Sequence, residues 1–115
     1  GDPYHCYCQK TTRLMKEKFN KIEILTTFQS RFGPQEWLTP YTDKTLENLP
    51  NRGVKNLLVI CPGFASDCVE TLEEINIQGK ESFIKNGGRN FGLIPCLNDN
   101  PDHIKLFEKL VRKYL

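Results

Sequence analysis

The amino-acid sequence predicts an α/β domain in which a parallel β-sheet lies between helices, a three-layer α/β/α arrangement. Three observations carry this. Helical patterns alternate along the chain with short runs of apolar and β-branched residues. The run at 56–61 is apolar on both of its alternating sets, as parallel strands covered on both faces are. It passes through Pro62-Gly63, which breaks the strand, directly into a long helical pattern. At 115 residues, 38% hydrophobic and 26% charged, the chain has the length of one domain, 1–115, with a modest core.

Taken in order, residues 3–19 read as a helix with a proline near its start and Tyr7, Leu14, Met15 and Phe19 at its periodic apolar positions. Residues 22–28 are rich in β-branched and apolar side chains and read as a strand, followed by the turn residues Ser30, Gly33 and Pro34. A short helix is expected over 42–49, stopped by Pro50 and Gly53. The second strand is 56–61. A long helix is expected over 66–85, with Ser66 as N-cap and Asp67 as a first-turn acid, stopped by Asn86-Gly87-Gly88. A third strand spans 91–96. Asn100 caps a final helix with Pro101 at its first position and Ile104, Phe107, Leu110, Val111 and Tyr114 on one face.

In such sheets ligands sit beyond the carboxyl ends of the strands. Segments 29–33, 61–64 and 96–98 are therefore expected at one rim, with Trp37 nearby. Several function classes are set aside by composition. A net charge of +2 without a basic stripe gives no nucleic-acid surface. No apolar run approaches the ~20 residues of a membrane span. The odd count of 5 cysteines fits reduced thiols and a cytoplasmic location.

On a helical wheel of 66–85, Val69, Leu72, Ile75 and Phe83 share a side facing the sheet, and Glu70, Glu74 and Glu81 lie opposite. By pattern alone those acids are a solvated face. By place they also form a pair at i, i+4, with β-carbons about 5–6 Å apart, just past a strand end. Two carboxylates that close hinder each other's ionisation, so the pair can hold a proton or take a cation. His5-Cys6-Tyr7-Cys8 lacks a second ligand pair at zinc spacing and reads as ordinary thiols. His103 reads as a surface residue. No Gly-x-Ser-x-Gly elbow or phosphate-binding glycine loop is present. Tyr4, Phe32, Trp37, Tyr41 and Phe64 form an aromatic set on or near the rim, either core or the wall of a pocket for a planar ligand.

Ordered motifs then become recognisable: Gly1-Asp2-Pro3-Tyr4; Thr27-Phe28-Gln29-Ser30-Arg31-Phe32-Gly33-Pro34 with Trp37-Leu38 and Pro40-Tyr41-Thr42-Asp43; Cys61-Pro62-Gly63-Phe64-Ala65-Ser66-Asp67-Cys68-Val69-Glu70-Thr71-Leu72-Glu73-Glu74; and Pro95-Cys96-Leu97-Asn98. Over nearly its whole length the chain resembles the C-terminal domain of ferrochelatases, which insert ferrous iron into protoporphyrin IX to make haem. Gln-Ser-Arg-Phe-Gly and Cys68 resemble the bacterial type; animal members carry His where Cys68 stands.

The resemblance implies a chelatase-like, Rossmann-like fold and a lyase of haem biosynthesis. It implies that Glu70 is the active-site acid, acting in proton removal or metal handling, with Glu74 a second acid behind it. Glu70 is expected to be ionised through the helix dipole, yet drawn upward in pKa by an apolar neighbour and Glu74. Tyr4, Ser30, Phe32, Gly33, Trp37 and Phe64 would bind the porphyrin. Iron is substrate, so no cofactor and no iron–sulfur cluster are expected. Family members have a second, N-terminal domain, and a catalytic histidine in Ser-Ala-His-Ser-Leu-Pro ahead of the Gly-Asp-Pro-Tyr motif. Neither is among these residues, so the chain is expected to need that domain as a partner and to turn over little alone. The alternative is a non-catalytic porphyrin- or partner-binding remnant. The family strand ahead of Gly1 lies between those read at 22–28 and 56–61, which are expected to close up or to leave a gap.

Overall fold

Parallel pairing of two strands organises the second half of the chain. β1, Asn56–Val59, pairs with β2, Asn90–Leu93, in a register running from Asn56 against Asn90 to Val59 against Leu93. The crossover between them is helical, so strand, helix and strand form one βαβ unit of an α/β fold. The structure, a computed structural model, describes residues 1–31, 33–34 and 36–115. It divides into two compact units, Gly1–Thr45 and Leu46–Leu115.

The crossover helix departs from the expected one in its start and its winding. Residues Glu70–Gly79 are π-helical and lead straight into α2, Lys80–Lys85. The Lys80 N–H reaches back five residues to the Ile75 carbonyl. Bonds of this i→i+5 type widen each turn beyond four residues, so side chains four apart fall nearly in a row. The buried row is accordingly Thr71, Ile75, Gly79 and Phe83, while Val69 and Leu72, expected against the sheet, are exposed. Gly79 is small for a reason: a Cβ there would lie 2.9 Å from Leu46 Cδ1 and 3.3 Å from the Glu74 carbonyl oxygen.

The helix ends as its sequence predicts. Gly87 has φ 110°, its N–H bonds the Ile84 carbonyl, and the Gly88 N–H bonds the Phe83 carbonyl. This double closure satisfies carbonyls that the last turn leaves without helical partners. Phe83 is fully buried, and its ring packs tilted against Phe91 at 5.9 Å. A Cβ on Gly88 would come within 2.2 Å of that ring. Gly88→Ala is therefore expected to cost about 1–3 kcal/mol through overpacking, read as a lower urea midpoint with unchanged slope.

Both strands stop short of their expected ends, at Val59 rather than Cys61 and at Leu93 rather than Cys96. The sheet is also covered on one face only. Leu57, Val59 and Cys61 are buried or half-buried, whereas Leu58 is 70% exposed and Ile60 and Ile94 are exposed as well. Around the sheet, Leu46, Leu49, Pro50, Cys61, Ile75 and Phe83 make the core of this unit. The last helix, α3 (Pro101–Arg112), has the expected cap: the Asn100 side chain accepts from the Asp102 N–H at 2.9 Å. Its apolar face stays exposed at Ile104, Phe107, Leu110 and Val111. His103, expected at the surface, is instead buried.

In the first unit, α1 covers Tyr4–Lys18, and none of its residues is buried. The strand expected at 22–28 does not form. Only Phe28 makes a bridge, donating its N–H to the Pro40 carbonyl at 2.9 Å and accepting from the Thr42 N–H at 3.0 Å. β-branched composition makes a strand possible, but only a neighbouring strand's N–H and C=O groups make one real. Among the described residues none ladders with 22–27, and Ile22 and Leu25 remain exposed. The short helix Thr42–Asn48 forms as expected.

Candidate functional site

The junction between β1 and the π-helical run gathers Phe64, Glu70 and Glu74 in one stretch beyond a strand end. A turn at Pro62-Gly63 is closed by the Phe64 N–H bonding the Cys61 carbonyl at 3.1 Å, which leaves Phe64 half-buried. The helix starts only after Cys68, whose carbonyl accepts from Thr71 and Leu72 at 3.1 and 2.8 Å. Ser66 is exposed and plays no capping part. Its expected role falls to Thr71, whose fully buried hydroxyl accepts from the Cys68 N–H at 3.0 Å and donates to Asp67 Oδ1 at 2.9 Å. Glu70 and Glu73 occupy the first turn, where the helix's free N–H groups favour negative charge.

Winding decides where the acids point. Glu70 and Glu74 each precede a member of the buried row, Thr71 and Ile75, and both are half-buried, while Glu73 is exposed. The widened turn stacks Glu70 above Glu74 along the helix more closely than an α-helix would. The pair thus borders the packed face instead of lying opposite it, as the α-helical wheel had placed it.

A second loop, following β2, is tied to the first by Asn98. Its backbone is left-handed, with φ 49°, and its N–H donates to the Ala65 carbonyl at 3.0 Å. Its side-chain Oδ1 accepts from the Asp67 N–H at 2.8 Å, and its Nδ2 donates to Asp67 Oδ2 at 2.9 Å. Its carbonyl lies 2.8 Å from His103 Nδ1, so that nitrogen carries the proton. The His103 ring in turn packs on Phe107 at 4.5 Å. Segments 61–68 and 96–98 therefore do converge, as the strand-end rule requires.

The electrostatics of this rim favour cations. The Asn98 amide, with help from Thr71 and Cys96, holds the Asp67 carboxyl below the ordinary carboxylate range. The Cys68 thiol, followed by its own main-chain N–H, holds Glu70 below that range too, opposite to the upward pull expected from the sequence. Burial first, then the negative charge of Cys96, Asp67, Glu74 and Cys68, pushes the Cys61 thiol up to about 11. Thiolate is resisted there chiefly by burial, with the nearby negative groups adding to it. Among the described residues no three His, Cys, Asp or Glu side chains converge as a metal cage.

These shifts fix a stability profile. Asp67 is depressed in the folded state, so its contribution is complete above its unfolded value of about 3.9 and is lost as pH falls through the folded value. Cys61 is raised, so its contribution is complete below the ordinary thiol value of 9.0 and is lost as pH rises toward about 11. Urea unfolding is expected to give a plateau at neutral pH with declines on both sides. Asp67→Asn should make the acid limb shallower, with Glu70 still contributing to it, and Cys61→Ala should do the same to the alkaline limb, to which Cys96, also raised to about 11, contributes.

The remaining expected site residues lie in the first unit. Tyr4 opens α1, its N–H bonded to Asp2 Oδ1 at 2.9 Å; burial first, then the neighbouring Cys8, raises its phenol pKa. Ser30 and Gly33 both have left-handed backbones, at φ 62° and 71°; glycine adopts this freely, serine rarely. Trp37 donates its indole N–H to the Gln29 carbonyl at 3.1 Å, which fixes the exposed ring to the 29–33 segment. Arg31 lies over the Tyr41 ring at 5.1 Å. Phe32 lies outside the described residues.

Sequence reasoning missed the tying residues Asn98, Thr71 and His103, and took Asp67 for a helix-start acid only. One signal was available: an asparagine just past a strand pattern tolerates the left-handed conformation and carries both a donor and an acceptor.

Fold and site together define an α/β protein with an acidic, partly buried rim at its strand ends. The family model of ferrochelatase matches residues 1–115. The ferrochelatase of Rhizobium johnstonii is 60% identical, over 100% of this chain and 34% of its own length. Those of Marinobacter nauticus and Agrobacterium fabrum are each 55% identical over 100% of this chain, and over 32% and 34% of their own lengths. The chain belongs to the ferrochelatase family. It spans about a third of the length of the curated relatives it matches. No helix among the described residues is long and apolar enough to cross a membrane.

Proposed function

We propose that this chain is the acid-bearing part of a ferrochelatase, which inserts ferrous iron into protoporphyrin IX to form haem. The observation that carries the reading is the half-buried Glu70–Glu74 pair on a strand-end rim, in a chain matched throughout by the ferrochelatase family. Metallation exchanges two pyrrole protons for one divalent cation. It needs a proton acceptor beside the ring and a path on which a cation is stabilised. Glu70, ionised at neutral pH, takes one of the two pyrrole protons, the histidine of the N-terminal partner takes the other, and Glu74, behind Glu70 on the helix, lends charge to the cation's approach. Phe64 supplies aromatic surface for the macrocycle, and Tyr4, Ser30, Phe32, Gly33 and Trp37 are the further porphyrin-binding residues that membership of the ferrochelatase family implies. No cofactor enters this scheme, and iron is the substrate. The compartment we propose is the cytoplasm, in keeping with the odd count of 5 cysteines.

The partner in this reading is an N-terminal ferrochelatase domain, which brings the rest of the pocket and the histidine. Anaerobic iron insertion, followed by haem absorbance, tests it. The chain alone should give little turnover, and adding the first two-thirds of a relative such as the R. johnstonii protein should restore it. Absence of haem in that mixture, with both pieces folded and associated, would sink the proposal. The indole of Trp37, anchored and exposed, favours one further reading, porphyrin binding without metallation. Quenching of Trp37 fluorescence on porphyrin titration, without haem formation in the mixture, is its signature.

A further inference from the structure

The rotation of the helix about its own axis decides whether Glu70 borders the rim or turns away. At the start of the run 70–79 the side chain most deeply anchored is that of Thr71, which is wholly buried one residue after Glu70. Thr71 is held by Asp67, and Asp67 is held by Asn98 through two facing bonds, N–H to Oδ1 at 2.8 Å and Nδ2 to Oδ2 at 2.9 Å. Asn98 is itself fixed at both ends of its main chain, by the Ala65 carbonyl and by His103 Nδ1. A π-helical run is rare because the α-helix is the better-bonded alternative, so some contact outside the run must hold it.

We propose that Asn98 is a positioning residue for Glu70 and Glu74: through Asp67 and Thr71 it fixes the start of the helix in the rotation and i→i+5 winding that put both carboxylates at the rim. The inference rests on the role given to Glu70 above, but its test uses no iron insertion, so either can fail without the other. Asn98 touches no reacting group in this scheme. It acts only through the residues it holds.

The test is NMR of the 115-residue chain, reading couplings through hydrogen bonds. The wild-type chain should show the coupling from the Lys80 N–H to the Ile75 carbonyl, with matching i→i+5 couplings earlier in the run. Asn98→Gly keeps the left-handed backbone and both main-chain ties but removes the side chain. It should stay folded, as judged by the β1–β2 couplings, lose the i→i+5 set and gain i→i+4 couplings. Asn98→Asp sets acceptor against acceptor and should do the same. The exchange Asp67→Asn with Asn98→Asp keeps every donor opposite an acceptor and should restore the i→i+5 set. If Asn98→Asp fails to fold, Asn98→Gly decides. Either a lowered melting temperature with the i→i+5 couplings intact in Asn98→Gly, or an exchange variant that does not regain them, would overturn the proposal.

Discussion

Replacing Glu70 by Gln is expected to lower iron insertion by about 10²–10⁴-fold, the range a positioned proton acceptor contributes. The substitution is nearly isosteric. The amide oxygen can still accept from the Cys68 thiol, and Thr71 and Ile75 keep the helix packed, so the loss reports chemistry and not unfolding. What disappears is the negative charge and the capacity to take a pyrrole proton. The fall should therefore be in kcat, with the porphyrin KM little changed, because the substitution leaves the aromatic side chains proposed to hold the ring untouched. Glu74→Gln should be milder and should show mainly as weaker apparent affinity for iron. The assay is the complemented mixture of chain and N-terminal piece, run anaerobically at matched folded concentration. Equal kcat for wild type and Glu70→Gln would remove Glu70 from the chemistry, whatever the fate of the family assignment.

Phe83→Ala is expected to cost about 3–5 kcal/mol, the range for emptying a buried aromatic site. This is a large fraction of the roughly 5–15 kcal/mol that holds a domain of this size. Phe83 is fully buried, contacts the Phe91 ring across the helix–sheet layer, and lies where Gly88 has no side chain. That last contact gives a sharper form of the prediction. Gly88→Ala alone drives a methyl into the Phe83 ring. In a Phe83→Ala background the same methyl enters the space the ring has left. The double variant should therefore be no less stable than Phe83→Ala, and the two single costs should not add. Urea denaturation of the four proteins closes the cycle. Additive losses would mean that the ring and the glycine do not share the space their geometry indicates.

Several elements were legible because their causes are local. Asn100-Pro101 starts a helix with its own side chain and a preset φ, and α3 begins there. Gly87 stops the long helix by entering a left-handed conformation that side chains resist, and the stop falls as expected. The apolar runs around 56–59 and 90–93 pair as parallel strands because a helical crossover separates them. Elements that depend on a distant partner were not legible. Residues 22–28 have the composition of a strand and no ladder, since nothing within a segment records whether a neighbour is there. His103 stands at a helix start with every mark of a surface residue. Its ring is buried where it donates to the Asn98 carbonyl and packs on Phe107, and Asn98 is placed there by its ties to Asp67 and Ala65, some thirty residues away in sequence.

The amino-acid sequence by itself determined that this is an α/β chain, that its acids cluster just past a strand end, and that its motifs are those of ferrochelatases. All three follow from the order and spacing of residues along the chain. Only the tertiary structure decided how those acids are presented. An α-helical wheel puts Glu70 and Glu74 on a solvated face. The π-helical winding brings them to the edge of the packed row, because the wider turn carries Glu70 and Glu74 round toward the buried Thr71, Ile75 and Gly79. Their start is set by Asn98, thirty-one residues beyond Asp67 in sequence and 2.8 Å from it in space. A pairing at that separation leaves no periodic trace in the chain, which is why folding alone reveals it.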